Sequence, residues 1–155
     1  MAFNPEDILS VDRIVDLEST DKDAVLDQLI EVLATSPLVT SKVDLKDKIY
    51  ERERSVSTGV GSGMAIPHVK ISTIRNFVMA VGRSQKGFDF KSLDGAPTHI
   101  VVMIGCNTTQ AQDFLKLLAR VVSRLKHPAV QKRILEAKSP QEIRNIFIQP
   151  EGVLV

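Results

Sequence analysis

The stretch STGVGSGMAIPH, residues 57–68, is the most unusual local pattern in this chain. It contains three glycines at alternate positions, then a short apolar run, then a proline directly before a histidine. Glycines adopt positive φ readily and let backbone N–H groups converge, so Gly59, Gly61 and Gly63 predict an anion-binding nest. Pro67 has a fixed φ and biases the residue before it to an extended conformation. The backbone that leads to His68 is therefore restricted.

The residues alone leave two interpretations of this stretch open. The glycines lack the Lys-Ser or Lys-Thr ending of a P-loop and the strand-turn-helix setting of a dinucleotide-binding fold. Alternate glycines are also common in ordinary turns, and a single histidine is more often a surface or core group than a nucleophile. From the pattern alone, His68 is either a nucleophile beside an anion site or an ordinary histidine.

Helices are predicted on both sides of the glycine-rich stretch. Thr20-Asp21-Lys22-Asp23 resembles a capping box, and Asp44 is a candidate N-cap for a second, shorter helix. The apolar positions between Gln110 and Lys126 recur at spacings of three and four, which is the clearest helical pattern in the chain. The predicted helices cover residues 20–35, 44–52 and 110–126, followed by one that Pro128 opens and one that Ser139 caps.

Strands are predicted where β-branched or aromatic runs are bounded by Gly, Pro or Asp, at residues 64–66, 77–81, 88–90 and 100–105. Helices alternating with such strands indicate an α/β fold in which a mixed β-sheet is flanked by helices. The chain has 155 residues with neither a linker nor a repeat, which favours a single domain over residues 1–155.

Composition excludes several classes of function. The net charge of +1 and the absence of tryptophan argue against nucleic-acid binding, and the three histidines lack the spacing of metal ligands. No apolar stretch approaches the ~20 residues that cross a bilayer, so no direct membrane insertion is expected. Cys106, the only cysteine, cannot form an internal disulfide, and residues 1–10 lack a signal sequence. A cytoplasmic protein without a cofactor is expected.

The residues Arg52-Glu53, the stretch 57–68 and the later segments Phe88-Asp89-Phe90 and 93–97 together resemble enzyme IIA of the bacterial phosphotransferase system. The resemblance is to the fructose, mannitol and nitrogen-regulatory branch, and it covers nearly the whole chain. It implies an α/β fold with a mixed sheet and a histidine that accepts a phosphoryl group from the histidine phosphocarrier protein.

His68 matches the phosphoacceptor histidine of this family, which carries the group on Nε2 as a phosphohistidine. Neutral imidazole is a suitable nucleophile near pH 7. Arg52 matches a family arginine whose guanidinium offsets charge on the phosphoryl oxygens. Ser57 and Thr58 are either donors to the phosphoryl group or residues that shape the turn. Because a carboxylate would repel phosphate, Glu53 is expected to hold Arg52 in place.

The chain departs from the family pattern at the start of its long helix. Family members usually carry a second histidine there, in a His-Leu pair that faces the first, whereas this chain has Phe114-Leu115. A phenyl ring can pack but cannot donate a hydrogen bond to a phosphoryl group. His99 or Asp113 could compensate if either lies nearby, although an exposed position at a strand start is the simpler interpretation of His99.

Two functions are compatible with these features. The first is a phosphoryl carrier that passes phosphate to a sugar-specific IIB component or uses it as a signal. A chain ending at residue 155 without a fused IIB domain resembles the stand-alone nitrogen-regulatory form. The second is a regulatory module that binds partner proteins without phosphotransfer, which Phe114 favours. The joint presence of the glycines, Pro67 and His68 favours the carrier.

Overall fold

The computed structural model describes residues 5–55 and 57–149, which form six α-helices, two short 3₁₀ turns and six strands. The helices are α1 (Pro5–Ile8), α2 (Lys22–Leu33), α3 (Lys42–Ser55), α4 (Ala111–Leu125), α5 (Pro128–Glu136) and α6 (Pro140–Ile148). The strands are β1 (Ile14–Asp16), β2 (Gly59–Gly61), β3 (Met64–Ala65), β4 (His68–Lys70), β5 (Val78–Phe88) and β6 (Thr98–Cys106). The turns span Val11–Arg13 and Thr108–Gln110.

All six strands belong to one mixed sheet. Its order is β1-β5-β6-β3-β2, and β4 pairs with β6 further along the same edge as β3. The pairs β1–β5, β3–β6 and β4–β6 are parallel, whereas β5–β6 and β2–β3 are antiparallel. The predicted α/β fold with a mixed sheet flanked by helices is confirmed.

Alternation along the central strand β6 divides the core into two layers. Ile100, Val102 and Ile104 pack with apolar residues of α4, α5 and α6, while Val101 and Met103 pack with those of α2 and α3. Successive side chains of a strand point to opposite faces, so a strand covered on both faces is apolar throughout. The sheet is therefore the middle layer between two groups of helices.

The helices predicted from caps and periodicity are present, with shifts at two starts. Asp21, not Thr20, is the N-cap of α2, and its side chain accepts a hydrogen bond from Ala24 N. The second helix begins at Lys42, because the Ser41 hydroxyl accepts from Asp44 N and places Asp44 inside the first turn. Ser139 caps α6 as predicted, through a hydrogen bond from Glu142 N.

The strand predictions are correct in the centre of the sheet and incomplete at its edges. The predicted strand at residues 88–90 is wrong: Phe88 ends the long strand β5, and Phe90 follows in a loop with its ring buried. Three strands of three residues each, β1, β2 and β4, were not predicted. Such short strands carry too few residues to show alternation.

A proline divides the outer strand next to β6. Met64 and Ala65 pair with Ile100 and Val101, and pairing resumes where His68 lies opposite Ile104. Pro67 has no N–H to donate to the ladder, which explains the break, although its carbonyl oxygen still accepts from Ile104 N at 3.0 Å. The break places His68 at the start of a new strand.

We predict that Ile104→Ala lowers the free energy of unfolding by about 2–5 kcal/mol, because it leaves a cavity in the core beneath His68. Ile104 is 0% exposed, whereas Val43, the matched control, is 68% exposed. Val43→Ala is expected to change stability by less than about 0.5 kcal/mol. Chemical denaturation of the three proteins checks this, and equal midpoints would contradict the assignment of Ile104 to the core.

Candidate functional site

His68 lies at the outer edge of the sheet, as the first residue of β4. Val69 packs in the layer of α2 and α3, so His68 and Lys70 point to the opposite face, where Phe114 of α4 lies. The His68 ring is half-buried. The site is thus formed where the edge strand meets α4 on one side and α3 on the other.

A short hydrogen bond to the backbone fixes the imidazole. His68 Nδ1 lies 2.6 Å from the carbonyl oxygen of Ile66. A carbonyl oxygen can only accept, so Nδ1 carries the proton in the neutral ring. The lone pair is therefore on Nε2. The backbone of Ile66, two residues before the histidine, thus determines which ring nitrogen is nucleophilic.

A pocket of about 260 Å³ opens beside the imidazole. It is lined by Lys48, Glu51, Arg52, Ser55, His68, Val69 and Lys70. Its walls carry three cationic side chains against one carboxylate, and Lys48 is 3.5 Å from that carboxylate. The balance of charge in the pocket is positive, which suits an anionic group.

The surroundings of His68 oppose its protonation. Burial lowers the pKa of the imidazole below its ordinary value, the hydrogen bond to Ile66 acts in the opposite direction, and the positive charges of Arg52 and Lys70 lower it further. A lowered pKa keeps the ring neutral at pH 7. The nucleophilic form is therefore the predominant one.

Phe114 packs against the histidine, at the position where the resemblance implies a second histidine. The two rings are 5.2 Å apart between centroids and tilted by 34°, and Phe114 is 1% exposed. The phenyl ring forms an apolar wall for His68 and provides no hydrogen bond. The ammonium of Lys70 lies 5.1 Å from the centroid of the same ring.

The glycine-rich turn contacts a side chain of the protein. Gly61, Ser62 and Gly63 all have positive φ in the turn between β2 and β3, and Ser62 N donates to the Asp94 carboxylate at 3.1 Å. The turn lies beside Ile100 of β6, whereas His68 lies beside Ile104. Four residues of a strand separate these positions, which is about 13 Å. The structure therefore does not bring Gly61 and Gly63 to His68, and Gly59 pairs with Ala65 in β3.

Ser57 and Thr58 are both engaged within the fold. The Ser57 hydroxyl donates to the carbonyl oxygen of Phe90 and accepts from Gly59 N. The buried Thr58 donates from its hydroxyl and its backbone N–H to the Glu53 carboxylate. Both residues shape the turn, which is one of the two roles considered for them, and neither lines the pocket.

Glu53 contacts partners other than the one expected. Its carboxylate is 2.9 Å from Lys22 Nζ and accepts the hydrogen bonds of Thr58, whereas Arg52 lines the pocket. Neighbouring residues of a helix point in different directions, so Glu53 faces inward while Arg52 faces the site. Glu53 therefore has a structural role at the start of the glycine-rich stretch, through Lys22 and Thr58, and its holding of Arg52 stays a prediction.

The other candidate residues lie apart from the pocket. His99 is partly buried in β6, where its Nδ1 is 3.0 Å from the Ser84 carbonyl oxygen. Its backbone N–H donates to the carbonyl oxygen of Gly63. Asp113 is 3.9 Å from Lys116. Cys106 is buried, and burial raises the pKa of its thiol to about 11, so it is unreactive. Neither His99 nor Asp113 lines the pocket.

Sequence reasoning missed Lys70 and Asp94. Lys70 is two residues after His68, so its place on the same face of β4 could have been inferred had that strand been predicted. Asp94 accepts a hydrogen bond from Ser62, which is 32 residues away along the chain, and the sequence carries no local signal for such a contact. Within residues 5–55 and 57–149, no group of three or more His, Cys, Asp or Glu side chains could hold a metal ion.

Fold and site define a component of the phosphotransferase system. The family model described as phosphoenolpyruvate-dependent sugar phosphotransferase system, EIIA 2, matches residues 7–149, and the chain belongs to this family. It is 36% identical over 135 residues to the fructose-specific EIIABC component of Bacillus subtilis. That match covers 87% of this chain and 21% of the relative, so the chain spans only about a fifth of that protein.

Two solved structures share the fold. Nitrogen regulatory protein IIA-Ntr from Neisseria meningitidis superposes with a TM-score of 0.84 at 24% identity, covering 91% of this chain and 97% of the other. Mannitol enzyme IIA from Escherichia coli, in its complex with phosphorylated enzyme IIB, gives a TM-score of 0.76 at 15% identity, with coverages of 90% and 96%. Among the described residues, no helix is both long and apolar enough to span a bilayer.

We predict that the stability of the protein falls as the pH decreases below about 6.5, the ordinary pKa of histidine. Folding lowers the pKa of His68, so the unfolded chain binds a proton in a range of pH where the folded chain does not. The stability contributed by neutral His68 is complete above the unfolded pKa and is lost as the pH falls through the folded pKa.

Denaturation of wild type, His68→Gln and His127→Gln at several pH values between about 7.5 and 5 measures this effect. His127 is an exposed histidine and serves as the matched control. The dependence should be weaker in His68→Gln and unchanged in His127→Gln. Identical pH dependence in all three proteins would show that folding leaves the pKa of His68 unaltered.

A further prediction concerns Glu53, which is 4% exposed at its side chain. Glu53→Gln should lower the free energy of unfolding by about 2 kcal/mol, because Lys22 and Thr58 lose a charged acceptor. Glu51→Gln, on the same helix but exposed, should change stability by less than about 0.5 kcal/mol. Urea denaturation compares the two variants, and an equal loss would contradict the buried role of Glu53.

Proposed function

We propose that this protein is a phosphoryl carrier of the phosphotransferase system that accepts phosphate on His68 Nε2 and passes it on. The observation that carries the proposal is the hydrogen bond from Nδ1 to the Ile66 carbonyl oxygen, beside a pocket with a positive charge balance. It leaves the Nε2 lone pair free for attack at neutral pH. Membership of the family makes the histidine phosphocarrier protein the expected donor.

The transfer step needs no cofactor and no net proton release. Nε2 of His68 attacks the phosphorus of the donor's phosphohistidine, and the new N–P bond forms as the donor's N–P bond breaks. The departing electron pair stays on the donor imidazole. Nδ1 keeps its proton on the Ile66 carbonyl oxygen, while Arg52 stabilises the charge on the phosphoryl oxygens.

Ser57, Thr58 and the glycines support this step from outside the pocket. The Thr58 carbonyl oxygen accepts a hydrogen bond from Ile66 N at 2.9 Å, and the Ile66 carbonyl oxygen holds the His68 ring. Glu53 in turn holds Thr58. These residues therefore fix the backbone from which the imidazole is positioned.

The acceptor is proposed to be a IIB component or a regulated protein, in the cytoplasm. The Bacillus subtilis relative is named as an EIIABC component. The mannitol protein of similar fold was solved in a complex with phosphorylated enzyme IIB. The Neisseria protein of similar fold is named as nitrogen-regulatory. Both kinds of acceptor agree with a pocket open to a partner protein.

A second candidate is a regulatory module that binds proteins without phosphotransfer. The observation that favours it is Phe114, which packs on His68 where the family has a second histidine. This function requires the surface around the site but not the nucleophile. The two candidates differ in whether the chain acquires phosphate.

We expect wild type to gain one phosphate when it is incubated with phosphoenolpyruvate, enzyme I and the histidine phosphocarrier protein. His68→Ala should gain none, because the imidazole that we propose as the phosphoryl acceptor is removed. Intact mass spectrometry measures the gain, and the adduct should be labile in acid and stable in alkali, as a phosphoramidate is.

His127→Gln is the matched control, since it removes an exposed histidine outside the pocket and should gain phosphate like wild type. Circular dichroism confirms that His68→Ala is folded. No gain in wild type, with the donor shown to be phosphorylated, would contradict the carrier function and favour the binding module.

A further inference from the structure

Phe114 leaves the site without the hydrogen-bond donor that a second histidine would supply, yet its ring is not an inert wall. Its surface is almost completely covered, and two groups of the site account for part of that cover. The His68 ring lies 5.2 Å away and the Lys70 ammonium 5.1 Å away, both measured to the phenyl centroid. One aromatic side chain therefore contacts the nucleophile and a cation together.

Strand geometry brings that cation to the nucleophile. His68 and Lys70 are alternate residues of β4, so they lie on the same face with Cα atoms about 7 Å apart. Both line the same pocket. The face of an aromatic ring attracts an ammonium group, so Phe114 restricts a side chain that would otherwise move freely in solvent.

The charge of Lys70 is available to a ligand. Across the described ranges 5–55 and 57–149, Lys70 takes part in none of the ion pairs. Lys48, the other lysine of the pocket, is already 3.5 Å from Glu51. An ammonium without a carboxylate partner is free to contact an incoming phosphoryl group.

We propose that Lys70, held on the ring of Phe114, binds the phosphoryl oxygens during transfer to His68 and so replaces the second histidine. Lys70 is the residue that contacts the reacting group, and Phe114 is a positioning residue that acts through it. This inference rests on the proposed function. On this inference, Phe114 contributes to the stabilisation of phosphoryl charge by positioning Lys70, in place of a hydrogen bond from a second histidine.

The test is the single-turnover rate of phosphate uptake from the phosphorylated histidine phosphocarrier protein at saturating donor. Lys70→Gln should be slower by about 10- to 100-fold, the loss expected for one hydrogen bond to a charged group. Lys70→Arg keeps the charge and should remain within about threefold of wild type. Lys46→Gln removes an equal charge from α3, outside the pocket, and should match wild type.

Phe114→Leu tests the positioning role, because leucine keeps apolar volume but offers no aromatic face. It should slow uptake by about two- to fivefold, the value of an exposed cation–π contact. The double variant Phe114→Leu with Lys70→Gln should be no slower than Lys70→Gln alone, since the ring acts through the lysine. Thermal denaturation confirms that each variant is folded at the assay temperature.

An independent measurement is the NMR titration of His68. The positive charge of Lys70 opposes protonation of the ring, so Lys70→Gln should raise the pKa of His68. A purely structural role of Lys70 elsewhere would leave the titration unchanged.

The outcomes separate this inference from the function on which it rests. Phosphorylated wild type with an equally fast Lys70→Gln would overturn the role of Lys70 and leave the carrier function intact. Slowing seen only below saturation would assign Lys70 to docking of the donor and also overturn the inference. Wild type that acquires no phosphate from a confirmed donor would overturn both.

Discussion

The site depends on a single constraint, which is the break that Pro67 makes in the outer strand of the sheet. Pairing with β6 ends at Ala65 and resumes at His68. Of the two residues between them, Ile66 uses its carbonyl oxygen to accept a hydrogen bond from the side chain of the histidine. The Ile66 carbonyl oxygen fixes the ring and its proton, while Ile66 N is held by Thr58. Position, orientation and tautomer of the imidazole thus follow from one interruption of a β-ladder.

The two layers of helices give this histidine two unlike sides. From α3 come Arg52 and a charged pocket, and from α4 comes the apolar ring of Phe114. Burial against the ring and the nearby cations both disfavour the imidazolium. The same arrangement that keeps the imidazole neutral also surrounds it with positive charge, so one set of contacts serves both requirements of the phosphoryl carrier that we propose.

The sequence predicted the elements whose signals are local. Helices α2 and α6 have side-chain caps, and α4 has regular apolar spacing. The apolar runs within β5 and β6 are long enough to recognise. The short edge strands exist because long neighbours pair with them, which no local pattern records. In the site, His68, Pro67 and Phe114 were found from motif and resemblance. The contacts of Ser62 with Asp94, and of Glu53 with Lys22, join distant segments and required the folded chain.

We infer that the backbone of Ile66 makes Nε2 the reacting nitrogen of His68. Long-range ¹H–¹⁵N correlation spectra of the imidazole, recorded before and after phosphorylation, test it most directly. We expect a protonated Nδ1 with an unprotonated Nε2 in the free protein, and phosphorus coupling to Nε2 afterwards. A proton on Nε2 in the free protein, or a phosphoryl group on Nδ1, would contradict it.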